Sequence, residues 1–203
     1  MTKLISGKEI STKINEQIKK EVKNLKSNDI NPCLAVILVG EDPASQVYVR
    51  NKKKTCENLG IKSIGHDLPA STNQKELEAL VNDLNNDNSV HGILCQFPLP
   101  EGLDENKIIL TISPEKDVDG LHPFNAGLIA MGQPKFISCT PFGVLQMLKH
   151  TGIETSGKNA VVLGRSNLVG RPIATLLSSK GWDATLTVCP SRTANLEEFT
   201  LKA

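Results

Sequence analysis

The sequence predicts an α/β protein: an N-terminal α/β sandwich built on a parallel sheet, followed by part of a second β-α-β domain. Two patterns predict it. Short apolar runs of strand length alternate with segments whose apolar residues recur at helical spacing, which is how a parallel sheet flanked by helices reads. One run, Cys33-Leu-Ala-Val-Ile-Leu-Val39, is apolar without interruption and ends at Gly40, as a strand buried on both faces does.

The elements follow in order. Ile10, Ile14, Ile18, Val22 and Leu25 recur at helical spacing among lysines and glutamates, predicting an amphipathic first helix. After the strand at 33–39, a helix starts near Pro43 and stops at Gly60. Ile61 to Leu68 is a second, weaker strand. Ser71-Thr-Asn-Gln74 has the form of a capping box, and Leu77, Leu80, Val81 and Leu84 make the apolar stripe of the helix it starts. Val90 to Gln96 is a third strand, broken by Phe97-Pro98-Leu99-Pro100. A short helix over Asp104 to Ile112 and a polar loop from Pro114 to Gly120 follow.

The second domain begins near Thr140-Pro141, which divides the chain into 1–140 and 141–203. Proline suits a first helical turn, and Val144, Leu145 and Leu148 supply that helix's buried face. Then come a strand over Asn159 to Gly164, a glycine turn, a helix over Pro172 to Lys180, and a strand over Ala184 to Val188. Ala194 to Ala203 reads as the start of another helix. Two parallel strands and one crossover cannot cover both faces of a sheet. The sequence is therefore expected to end inside an incomplete Rossmann, dinucleotide-binding domain.

Composition narrows the function classes. The chain has 203 residues, 39% hydrophobic and 22% charged, with net charge +1. That near-neutral balance predicts neither a nucleic-acid nor a membrane partner. The N-terminal ten residues lack the apolar core of a secretion signal, and the longest apolar run, Cys33 to Val39, is too short to span a bilayer. Five scattered cysteines (33, 56, 95, 139, 189) without a Cys-x-x-Cys point to reduced thiols, no zinc site and a cytoplasmic protein. The histidines (66, 91, 122, 150) show no metal-ligand spacing and are expected to be structural.

Tyr48 and Lys52 stand four residues apart, about one helical turn, so phenol and amine emerge on one face. A half-buried tyrosine beside a solvated lysine is the ordinary meaning of such a pair. Tyr48 is the only tyrosine, however, and Gln96 at a strand end and Lys116-Asp117-Val-Asp119-Gly120 supply further polar groups. The latter also reads as a solvated turn. The turn Gly164-Arg165-Ser166-Asn-Leu-Val-Gly170 departs from G-x-G-x-x-G: serine replaces the second glycine and the last glycine falls one position late. Its place between an apolar strand and a helix is what lets such a turn bind phosphates. The next strand end reads Cys189-Pro190-Ser191-Arg192, without the acidic residue that holds NAD ribose hydroxyls. Arg165, Ser191 and Arg192 suit a 2′-phosphate instead, so NADP is expected. Short-chain dehydrogenases place the glycine turn before their Tyr-x-x-x-Lys; here the pair comes first, in a separate, earlier domain.

Together these residues resemble the bifunctional methylenetetrahydrofolate dehydrogenase/methenyltetrahydrofolate cyclohydrolase family. The matching stretches are Gly40 to Lys54, Gln96-Phe-Pro-Leu-Pro100, Pro114 to Gly120, Cys139-Thr-Pro141 and Gly164 to Pro172. The resemblance implies an amino-acid-dehydrogenase-like first domain that binds folate, followed by the NADP domain. It implies Lys52 as the acid/base, assisted by Tyr48 and Gln96, and Asp119 as the anchor of the pterin, with Pro98 and Leu99 in the substrate wall. Gly164, Arg165, Ser166, Ser191 and Arg192 would fall on NADP. Pro190 stands where the family usually has histidine. The family continues for several tens of residues and is usually homodimeric, so the sequence is expected to be C-terminally truncated and weak in dehydrogenase activity. An inactive folate-binding or regulatory fragment is the competing reading; an unrelated NADP-dependent dehydrogenase is another.

The implied chemistry is oxidation of 5,10-methylenetetrahydrofolate, then hydration of the methenyl cation to 10-formyltetrahydrofolate. Hydride loss chiefly needs positioning. Hydration needs a group that takes a proton from water and returns one to a ring nitrogen. An ammonium cannot accept a proton, so Lys52 would act as the neutral amine, a form that burial and a cationic substrate both favour.

Overall fold

The computed structural model describes residues 4–203, so the first three residues of the N-terminal segment lie outside it. Two compact units divide the chain: residues 11–118, and residues 119–203 together with those up to 10.

The first unit holds α1 (Gly7–Ser27), β1 (Cys33–Val39), α2 (Pro43–Leu59), β2 (Lys62–Leu68), α3 (Gln74–Asn86), β3 (Gly92–Cys95) and α4 (Glu105–Thr111), although the first turn of α1 is counted with the second unit. The three strands pair in parallel in the order β2-β1-β3. β1 is central, which is why its sequence is apolar at every position. Cys33, Ala35, Ile37 and Val39 face a core with Leu77, Val81 and Leu84 of α3 and Ile108 of α4. Val36 and Leu38 are buried on the opposite face, and α2 packs across β1 and β2.

Local chemistry sets the element ends. Asp42 caps α2, its carboxylate accepting from Ser45 N at 2.7 Å, with Pro43 in the first turn. Gly60 ends the helix in the left-handed region at φ +78°. The capping box of α3 lies two residues later than the sequence pattern placed it. Asn73 accepts from Glu76 N and the Glu76 carboxylate accepts from Asn73 N, both at 3.1 Å. Ser71 is excluded because residues 69–72 close a turn, Thr72 N donating to Pro69 O. β3 is shorter than the expected Val90–Gln96: His91 N still donates to Cys33 O and Gln96 N to Ile37 O, but these residues flank the ladder.

The second unit holds α5 (Pro123–Ala130), α6 (Cys139–Thr151), β4 (Asn159–Leu163), α7 (Gly170–Ser178), β5 (Thr185–Cys189) and α8 (Leu196–Thr200). β4 and β5 pair in parallel. Ile129, Leu145, Ile173, Leu176, Leu177 and Ala184 form its core. α7 starts at Gly170, two residues before the expected Pro172, because the glycine turn runs directly into the helix. α5 has no counterpart in the sequence reading. Its start is nonetheless encoded: His122 Nδ1 accepts from Phe124 N at 3.1 Å and Pro123 fills the first turn.

Candidate functional site

In the first unit the site grows from the sheet order. β2 and β3 lie on opposite sides of β1, so the chain's winding reverses at the β1–β3 boundary, where parallel sheets open a crevice beyond the strand carboxyl ends. Gln96 stands at that point, its N–H bonded to Ile37 O at 2.9 Å. Lys52 reaches it from α2: Nζ donates to Gln96 Oε1 at 2.9 Å. Gln96 Nε2 donates in turn to Phe97 O at 2.7 Å. The amide is therefore oriented at both ends, its oxygen to the amine and its NH2 to the main chain.

Tyr48 lies one turn before Lys52 and is 62% exposed. A large ring left that open is available as a contact surface and not consumed by the core. Lys52 is half-buried. The opposite face of α2 borders a separate cleft of about 600 Å³ lined by Glu41, Arg50, Lys53 and Asp67, which neither Tyr48 nor Lys52 enters. Asp42, at the start of α2, has its carboxyl held below the usual range, first by the hydrogen bonds from Ser45.

The loop after β3 is built into the unit. Phe97, Leu99 and Leu103 pack on the core, and Leu99 N donates to Glu105 Oε1 at 2.8 Å. The Phe97–Pro98 peptide is cis, and Pro98 is exposed. Pro100 faces the end of β1; a Cβ on Gly40 would sit 3.2 Å from its Cγ. In the 114–120 loop, Asp117 forms a parallel bridge with Ile93, and Ile93 N donates to Lys116 O at 2.7 Å. Of the two readings of this stretch, the solvated turn does not hold: the loop is docked on β3. Lys116 belongs to the polar stretch that the sequence marks, but its bonds to Leu84 O and Asp87 O are not legible there, because nothing local marks a lysine that bonds main chain about thirty positions away.

Asp119 opens the second unit and is half-buried. Gly120 after it has φ +65°, and a Cβ there would lie 3.0 Å from Phe136 O, so glycine is required on both counts. Gly120, Pro123, Asn167, Arg171 and Thr175 line a cleft of about 290 Å³ in this unit.

The glycine turn leaves β4 beside the end of β5, Gly164 N donating to Cys189 O at 2.9 Å. Gly164 has φ +98°. A Cβ on Gly170 would come within 2.6 Å of Gly164 O, so the late glycine performs the close turn-to-helix packing that the usual spacing assigns one position earlier. Ser166 is more than a spacer: its Oγ accepts from both Val169 N and Gly170 N at 3.2 Å. Two of the free N–H groups opening α7 are therefore satisfied by the turn itself. Arg165, Ser191 and Arg192 are exposed, the latter two in the turn after β5 that Thr193 N closes on Pro190 O. This tight, Cβ-intolerant turn beside exposed arginine and serine fits the phosphates of a dinucleotide, and no carboxylate stands at the β5 end to oppose a 2′-phosphate.

Among the described residues, no group of histidine, cysteine or acidic side chains could hold a metal ion, and no helix is long and apolar enough to cross a membrane.

Two family models match the chain: the catalytic domain of tetrahydrofolate dehydrogenase/cyclohydrolase over residues 5–119, and the NAD(P)-binding domain of the same enzyme over residues 138–203. The bifunctional protein FolD of Magnetococcus marinus is 52% identical over 204 aligned residues, covering 100% of this chain and 71% of its own length. The crystal structure of the Campylobacter jejuni bifunctional FolD superposes with a TM-score of 0.96 at 48% identity, over 99% of this chain and 71% of that one. That of the Trypanosoma brucei enzyme, complexed with NADP and an inhibitor, gives 0.91 at 35% identity, over 97% of this chain and 67% of that one. With both models matched in order and half of its residues shared with such relatives, this chain belongs to the tetrahydrofolate dehydrogenase/cyclohydrolase family.

Proposed function

We propose that this chain oxidises 5,10-methylenetetrahydrofolate with NADP and hydrolyses the resulting methenyl cation to 10-formyltetrahydrofolate, a step of one-carbon metabolism. The observation that carries this reading is the 2.9 Å bond from Lys52 Nζ to Gln96 Oε1 at the carboxyl end of the parallel sheet.

Residues 1–140 serve folate binding and catalysis, and 141–203 contribute to cofactor binding. Lys52 is the acid/base of the hydration step. Water adds to the methenyl carbon and one of its protons passes to the amine of Lys52. As the carbinol collapses to the formyl carbonyl the carbon–nitrogen bond of the ring opens, the ring nitrogen receives the proton held by the ammonium, and the carbinol O–H proton leaves to solvent, so one proton is released overall. Gln96 suits this because its neutral oxygen orients the amine without adding a negative charge that would hold the proton there. Tyr48 contacts the folate ring, Pro98 and Leu99 wall the substrate, and Asp119 accepts hydrogen bonds from the amino-pyrimidine edge of the pterin. NADP supplies the hydride acceptor. Gly164 and Gly170 keep its turn close, Ser166 holds that turn's shape, and Arg165, Ser191 and Arg192 meet its phosphates. A homodimer and a cytoplasmic setting complete the reading; the five free cysteines accord with a reducing compartment.

The test is to mix purified chain with 5,10-methylenetetrahydrofolate and NADP, then follow cofactor reduction and methenyl consumption separately. Methenyl consumption with weaker cofactor reduction, each lost when its own residues are altered, is expected. Absence of any tetrahydrofolate binding would overturn the assignment.

A further inference from the structure

Lys116 is fixed at both ends. Its ammonium donates to Leu84 O at 2.9 Å and Asp87 O at 2.7 Å, carbonyls at the C-terminal end of α3. The last turn of a helix leaves carbonyls without intrahelical partners and carries its negative pole, so a cation bonds well there; Asp87 O accepts from Val90 N at 3.1 Å as well. The main chain of Lys116 is held as well: its N–H donates to Ser113 O at 2.8 Å and its carbonyl accepts from Ile93 N at 2.7 Å. A steric anchor comes two residues later. Gly92 in β3 leaves room for Val118, since a Cβ there would lie 2.5 Å from Val118 Cγ1 and 3.4 Å from Leu34 Cδ1. Asp119 is the next residue.

We propose that Lys116 and Gly92 are positioning residues for Asp119: one anchors the loop to α3, the other seats Val118 against β3, and together they fix the peptide that presents the Asp119 carboxylate. This rests on the assignment of Asp119 to the pterin. A lysine that only capped α3 would contribute stability; one that positions Asp119 also sets folate affinity.

Tetrahydrofolate is titrated into the 203-residue chain and its variants, and Kd is read beside each melting temperature. Asp119→Asn and Lys116→Met should each weaken binding by about tenfold to a hundredfold. Lys116→Arg, which keeps the donors, should recover most of it. The double variant Lys116→Met/Asp119→Asn should bind no more weakly than Asp119→Asn alone, because the lysine acts through the aspartate. Gly92→Ala should weaken binding by displacing Val118, and adding Val118→Ala should restore it; this pair carries the test if Lys116→Met does not fold. Lower melting temperatures with Kd unchanged in Lys116→Met and Gly92→Ala, while Asp119→Asn weakens binding, overturn the positioning role alone. An unaffected Kd in Asp119→Asn removes the assignment of Asp119 and the proposal with it.

Discussion

Lys52 and Gln96, 44 positions apart in the chain, meet through a 2.9 Å hydrogen bond from Nζ to Oε1. The Gln96 amide is set by a second bond from Nε2 to Phe97 O at 2.7 Å, so it can present only its oxygen to the amine. Replacing Lys52 with methionine keeps the stem and removes the proton carrier. Hydration of the methenyl cation should fall by about 10²–10⁴-fold, the usual worth of a general acid/base, while part of the hydride transfer survives. Equal loss of both activities with folate binding intact would refute separate roles.

Gly170 tests the cofactor turn. A methyl group there would need space 2.6 Å from Gly164 O and 2.9 Å from Arg165 Cα, both main-chain atoms that cannot swing aside. Gly170→Ala should therefore shift the turn, cost roughly 1–3 kcal/mol of stability and weaken NADP binding more than tetrahydrofolate binding. Calorimetric titration with each ligand decides it.

Asp42 gives a pH signature. The Ser45 N–H bond holds its carboxyl below the ordinary value of 3.8. A depressed carboxyl stabilises the fold above that value and loses the contribution as pH falls through its folded value. Asp42→Ala should melt below wild type at neutral pH, and the gap should close in acid. A gap that persists below the folded value would mean the cap acts without its charge.

The thiols should separate by reactivity. Cys139 is exposed, whereas burial pushes Cys33 and Cys56 up from the ordinary 9.0. Alkylation at neutral pH should mark Cys139 first and leave the other two until unfolding, as mass spectrometry would show. Raised thiols contribute stability that is full below 9.0 and fades as pH rises toward their folded values, so the fold should weaken on the alkaline side.

Much of the architecture was legible because the patterns that encode it are local. The run Cys33–Val39 is a strand over those same residues, since a central parallel strand needs apolar side chains on both faces. Pro43 and Gly60 bracket α2 through backbone constraints that each residue carries by itself. The capping box slipped because Ser71 and Asn73 offer the same chemistry, and only the 69–72 turn chooses between them. α5 was missed although His122-Pro123 marks its start, because its apolar residues lack a clear stripe.

The order of strands and of the helices other than α5, the shared face of Tyr48 and Lys52, the position of the glycine turn and the absence of an acid after Cys189 are all written in the primary structure. Each is a property of residues a few positions apart. Three contacts emerge only on folding: Gln96 receives the Lys52 amine, Lys116 reaches Leu84 O and Asp87 O, and Gly170 closes on Gly164 O. The first two link residues tens of positions apart, and the third depends on the turn's path. None can be read from periodicity, because strand pairing and loop docking bring these atoms together only after the chain has folded.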